Sequence, residues 1–183
     1  RKIDSRLLDL DEEQQTADLE GVDAVMTNMA RVCVAVSTAD CIPVLLYDEK
    51  QHACCAVHAG WRGTVNKIVE KAVAEMTANY GTEPAMLHAC IGPGISLENF
   101  EVGDEVWQEF ADAGFNMDKI SCRSAKWHVD LWECNRMQLV DAGVNPRNVS
   151  VAGICTYSHA DEFFSARKLS INSGRILSGI FLN

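Results

Sequence analysis

Two short segments concentrate the residues of this chain that can do chemistry. The first, Ser37-Thr38-Ala39-Asp40-Cys41-Ile42-Pro43, places an Asp and a Cys between two apolar runs. The second, Ala56-Val57-His58-Ala59-Gly60-Trp61-Arg62-Gly63, ends an apolar run in a His and a Gly-bearing turn. A thiolate and an imidazole brought together suit zinc or copper. They equally suit a Cys–His nucleophilic pair, or a buried Cys beside a hydrogen-bonded His. The turn also reads in two ways. Free N–H groups where a strand feeds a helix favour an anion, Gly60 and Gly63 permit close approach, and Arg62 adds a bidentate donor for phosphate. The plainer reading is a tight turn with Arg62 in a surface ion pair. Asp40 is a candidate for orienting a ligand or moving a proton. The tail Phe163-Phe164-Ser165-Ala166-Arg167 sets Arg167 beside aromatics, which can hold a base or a phosphate or simply pack.

These residues need elements to position them. Val22 to Thr27, the alternating Val32, Val34 and Val36, the continuous run from Pro43 to Tyr47, and Ala53 to His58 read as strands. Asp48 to His52 reads as a hairpin turn, which brings Cys41 at the start of one strand beside His58 at the end of the next. Val65, Ile68, Val69, Ala72, Val73 and Met76 then recur at helical spacing, with Thr64 as the expected cap and Asn79-Tyr80-Gly81 as the stop. Ala85 to Ile91 reads as a strand. Gly103 to Ala113 and Leu131 to Ala142 read as helices, the second capped by Asp130. Val149 to Ile154 and Ile176 to Leu182 are strand-like, and Leu8 to Glu20 reads as a loop or short helix. Strands and helices mix without strict alternation, which predicts α+β layers. Asn135 and Gln138, on the apolar face of their helix, need partners and read as structural, as do His128 and His88. His52 belongs to the turn, and His159 is open.

The whole chain of 183 residues reads as one domain, 1–183, with no linker or repeat. The net charge of −10 leaves no basic footprint for nucleic acid or an anionic membrane. No apolar run approaches the roughly 20 residues of a membrane span, and no signal peptide opens the chain. The eight cysteines include no CxxC pair, and several sit inside apolar strand-like runs where a free thiol packs as a small hydrophobe. A reducing, cytoplasmic setting is expected. The chain opens at Arg1-Lys2-Ile3-Asp4 without a Met, which reads as part of a longer chain.

Taken in order, these motifs resemble one family, the laccase-like or multicopper polyphenol oxidase proteins, whose members are similar to metal-dependent purine nucleoside phosphorylases. Thr38-Ala39-Asp40-Cys41-Ile42-Pro43-Val44-Leu45 and Val57-His58-Ala59-Gly60-Trp61-Arg62-Gly63 carry the likeness. Ile91-Gly92-Pro93-Gly94, Cys155-Thr156, Phe163-Phe164-Ser165-Ala166-Arg167 and Ser173-Gly174-Arg175 extend it. The resemblance implies a layered α/β/β/α sandwich with mixed sheets. It implies a metal site, commonly zinc with copper as the alternative, with one Cys and two His ligands. Cys41 and His58 match two of these, and the other His belongs to a segment upstream of Arg1. It implies purine nucleosides and phosphate as substrates, with adenosine deamination in some members; a monomer or weak homodimer is expected. One departure is Ala166, where the family often carries an aromatic. The alternatives are a polyphenol oxidase, a Cys–His hydrolase and an inactive nucleoside-binding module. Five His scattered along the chain cannot build a multicopper cluster, which counts against the oxidase.

Overall fold

A computed structural model describes all 183 residues. In chain order it contains α1 (Ser5–Leu8), α2 (Glu12–Leu19), β1 (Ala24–Thr27), β2 (Cys33–Thr38), β3 (Ile42–Asp48), β4 (Ala53–Ala59), α3 (Trp61–Val65), α4 (Ile68–Tyr80), β5 (His88–Ile91), β6 (Glu101–Val102), α5 (Asp104–Asp112), α6 (Met117–Ile120), β7 (Ser121–Arg123), β8 (Trp127–Val129), α7 (Leu131–Asp141), β9 (Val149–Val151), α8 (Ala166–Leu169) and β10 (Ile176–Phe181).

The central sheet has five strands in the order β1-β4-β3-β5-β9. Only the β5–β9 pair is parallel, so the sheet is mixed. Period-two alternation divides its side chains between two cores. Val44 and Leu46 of β3 and Cys55 and Val57 of β4 face α4 and α7, within a cluster of 26 buried residues. Cys54 and Ala56 face the other way and meet Val34 and Val36 of β2 in a cluster of 7. There the two-stranded β10–β2 sheet lies on the first, and Leu7 of α1 joins the same cluster. Helices, sheet and second sheet stack as the layered α+β sandwich that the resemblance implies. A third small sheet, β6-β8-β7, shares no strand pairing with the other two, and its Val102 and Val129 pack into the larger core. Its strands of two and three residues are too short to show a period in the sequence.

Local chemistry explains most element ends. Asp130 accepts from Glu133 N–H at 2.9 Å and caps α7. Gly81 ends α4 in the left-handed region, φ 71°. Thr64 does not cap α4. It lies inside the short α3, and the chain breaks at Lys67, φ 59°, before α4 begins. The cap comes from another helix. Gln138 of α7, fully buried, accepts from Val69 N–H at 3.2 Å and donates to the Thr64 carbonyl at 2.9 Å. Asn135, one turn earlier, donates to Thr64 Oγ1 at 3.3 Å and to the Leu131 carbonyl at 2.7 Å. Both polar side chains on the apolar face of α7 therefore fix the loop that follows His58. All eight cysteines are free. No helix is long and apolar enough to cross a membrane.

Candidate active site

The β3–β4 hairpin builds the centre of the site. Its register pairs Pro43 with His58 and Ile42 with Ala59. Carried one residue further, the register sets Cys41 opposite Gly60. Alternation puts Gly60 and His58 on one face of β4, so Cys41 and His58 are diagonal neighbours on that face. Gly60 leaves the space between them open. A Cβ on Gly60 would stand 3.1 Å from Cys41 Sγ and 3.6 Å from His58 Nε2. The thiol and the imidazole thus converge on a hollow that any other residue would fill.

Asp23 completes the arrangement from the other side of β4. β1 pairs with β4 through Ala24 and Val57, which brings Asp23 against His58. The Asp23 carbonyl accepts from His58 N–H at 2.7 Å, and its carboxylate lies 2.9 Å from His58 Nδ1. A carboxylate on Nδ1 leaves Nε2 as the nitrogen that faces Cys41. The hydrogen bond with Cys41, opposed by burial and helped by Asp23, pushes the imidazole up from 6.5 to about 9. Without metal the ring therefore holds its proton beyond neutral pH. In the sequence Asp23 falls inside the strand-like run Val22 to Thr27; in the structure it stands just before β1, and its role follows from β1 pairing with the far edge of β4. No hairpin signal announces that pairing.

Asp40 is placed differently from Cys41, though the two are adjacent. It is 9% exposed and sits at φ 79°. One carboxylate oxygen accepts from the buried Thr156 hydroxyl and the other from Arg167 N–H, each at 2.7 Å. Its carbonyl accepts from Ile95 N–H at 2.9 Å. Both side-chain oxygens are engaged with the frame, so Asp40 fastens three loops beside Cys41. A neighbouring clasp reinforces it: Cys155 Sγ accepts from Ser96 N–H and from Asn99 Nδ2, each at 3.4 Å.

Arg167 is brought to the rim by this fastening. Its guanidinium stands 5.6 Å from the centre of the Phe100 ring and donates to the Glu101 carbonyl at 3.0 Å. Arg62 lies on the Trp61 ring at 4.3 Å and makes no ion pair within 4.0 Å. The surface ion pair of the plainer reading is absent. Gly60 caps α3 without a side chain, and Gly63 lies 3.6 Å from the His58 carbonyl, measured from where its Cβ would be. At five residues α3 is too short for a strong dipole, so an anion here would depend on the arginines. His128 sits in β8 of the small third sheet, and its Nδ1 donates to the Leu97 carbonyl at 3.1 Å.

A thiolate sulfur and an imidazole nitrogen are the donors zinc prefers, and the Gly60 hollow gives both a common approach. Cys41 and His58 fit as a pair of metal ligands. No group of three His, Cys, Asp or Glu side chains is placed to hold a metal, whereas a catalytic zinc site usually has three protein ligands.

The sequence model of the multi-copper polyphenol oxidoreductase laccase family matches residues 4–183. The chain belongs to this family. It is 50% identical over 184 residues to a purine nucleoside phosphorylase of Bacteroides thetaiotaomicron, an alignment spanning 99% of the chain and 68% of that relative. It is 43% identical over 182 residues to the adenosine deaminase RL5 of an unknown prokaryotic organism, covering 98% of the chain and 69% of the relative. Among solved structures of the family fold, YlmD of Geobacillus stearothermophilus superposes with a TM-score of 0.88 at 28% identity, over 100% of this chain and 68% of that one. The YfiH protein of Bacillus licheniformis gives 0.85 at 31% identity, over 88% and 61%. The chain thus spans about two thirds of the length of these family members.

Proposed function

We propose that the chain is a metal-dependent purine nucleoside phosphorylase that converts adenosine, inosine, guanosine or methylthioadenosine and phosphate to free base and sugar 1-phosphate. The observation that carries this reading is the convergence of Cys41 and His58 on the Gly60 hollow, in a chain half identical to a purine nucleoside phosphorylase.

In the reaction a phosphate oxygen bonds to C1′ of the sugar as the C1′–N9 bond breaks. The electron pair of that bond leaves with the base, which takes up a proton. Cys41 and His58 would hold the metal, zinc by the softness of the donors with copper as the alternative. The metal, when bound, supplies Lewis acidity at this point. Asp23 aims His58, and Asp40 holds the Cys41 loop and the Arg167 backbone in place. Arg62 and Arg167 hold phosphate, each presenting a planar fork that matches its oxygens. Gly60 and Gly63 let the substrates approach the backbone. Catalysis then consists of positioning and charge stabilisation around a held anion.

A second reading, adenosine deamination, is favoured by the 43% identical adenosine deaminase. It needs an activated water rather than phosphate. Chromatography of adenosine reactions separates the two. Adenine formed only with phosphate marks phosphorolysis. Inosine formed without phosphate marks deamination. Neither product from protein loaded with zinc would overturn both.

A further inference from the structure

Phe164 is a large aromatic that the site described above does not use. It lies three residues before Arg167, whose N–H is tied to Asp40. Three residues reach at most about 11 Å, so Phe164 is tethered to the loops around Cys41. Ser165, between them, is fully buried and caps α8 by accepting from Lys168 N–H at 3.2 Å, which fixes the backbone on which Phe164 stands. Phe164 is 47% exposed.

Gly174 defines which face of the ring is covered. A Cβ on Gly174 would lie 2.6, 2.7 and 2.8 Å from Cζ, Cε1 and Cε2 of Phe164. An atom in the ring plane beyond Cζ would be much nearer to Cζ than to the two Cε atoms. Near-equal distances place it over the face. Gly174 therefore backs one face of the ring, and no other residue fits there without displacing it. An apolar ring backed on one face by Gly174, in a residue about half exposed to solvent, has the form of a stacking platform for a flat aromatic ligand.

We propose that Phe164, backed by Gly174, is the stacking platform for the purine base of the substrate, with Arg167 on the phosphate side. This rests on the nucleoside reading of the site and adds the residue that selects an aromatic base. It also gives a physical reason for a glycine at 174, whose backbone needs no left-handed conformation.

The test uses hypoxanthine and adenine as probes of binding, and inosine and adenosine as probes of turnover. In proton NMR, the H2 and H8 signals of the free bases should move upfield on adding the protein. The shift should vanish with Phe164→Ala, survive Cys41→Ala, and return with Phe164→Trp. KM for the nucleoside should rise about tenfold in Phe164→Ala, the scale of a lost base–aromatic contact, with kcat falling less and KM for phosphate unchanged. Gly174→Ala should act in the same direction by displacing the ring. Urea midpoints of the variants check that each is folded. Base binding that depends on Phe164 without turnover would keep the platform and refute the phosphorylase reading. Turnover with an unchanged nucleoside KM in Phe164→Ala would refute the platform and leave the phosphorylase reading standing. An upfield shift that persists in Phe164→Ala also refutes the platform.

Discussion

Removing the Asp40 side chain should cost more stability than any other single change at the rim of the site, and the structure permits the cost to be divided. In Asp40→Ala the Thr156 hydroxyl, fully buried, and the Arg167 N–H lose their acceptor. A buried donor left unsatisfied costs about 1–3 kcal/mol. The backbone at φ 79° adds about 1 kcal/mol for a residue with a Cβ and no compensating polar group. The total is about 4 kcal/mol. Asp40→Gly removes the same acceptor but relieves the backbone, so it should lie about 1 kcal/mol above the alanine variant. Asp40→Asn tolerates the left-handed conformation and can accept from Arg167 N–H while donating to Thr156 Oγ1. It loses only the charge on the two bonds, about 1–2 kcal/mol. Equilibrium urea unfolding reads these values. With a slope of about 2 kcal/mol per M, the alanine midpoint should fall by about 2 M, with the order asparagine, glycine, alanine. An alanine midpoint within about 0.5 M of the parent's, which at that slope is only about 1 kcal/mol, would refute the role of Asp40 as a fastening. An alanine variant as stable as the glycine one would refute the backbone contribution.

Two further outcomes follow from the hairpin. Gly60→Ala should change stability by no more than about 1 kcal/mol, because φ −67° and ψ 167° suit alanine while its methyl crowds the Cys41 thiol. Its methyl, 3.1 Å from Cys41 Sγ, should weaken zinc binding in a competition titration at least tenfold, about 1.4 kcal/mol; equal zinc affinity in the two proteins would contradict the shared hollow. The second concerns pH in the metal-free protein. His58 is raised from 6.5 to about 9 when folded, so its stabilisation is complete below the unfolded value and is lost as pH rises through about 9. The shift sets a ceiling of about 3 kcal/mol, and solvent at a side chain 31% exposed reduces this to on the order of 1 kcal/mol. Thermal midpoints of the parent should fall across this window and those of His58→Gln should not, with Asp23→Asn in between. Parallel curves for all three would sink the argument.

The parts of the fold legible in the sequence are those governed by local periodicity. β3, β4 and their turn follow from a buried apolar run and its neighbour, and this hairpin alone predicts that Cys41 and His58 meet. The ends of α4 and α7 at Gly81 and Asp130 are likewise local chemistry. What lay hidden depends on contacts distant in sequence. Gln138 caps α4 from 69 residues away, so Thr64 was the nearest cap that the sequence offered. Asp23 meets His58 across a β1–β4 pairing separated by 35 residues. In the sequence Asp40 reads as a carboxylate beside a Cys that orients a ligand or moves a proton. Only the partners at Thr156 and Arg167, more than a hundred residues on, show both its oxygens bound to the frame.

We propose that Cys41 and His58 form a purine nucleoside site that uses phosphate. The most direct measurement is free base released from inosine and adenosine by the zinc-loaded chain, with phosphate present and omitted, in the parent, Cys41→Ala and His58→Ala. Phosphate-dependent base release in the parent and its loss in both variants is the predicted result. Base release that ignores phosphate, or that persists at parental rates in either variant, would contradict the claim.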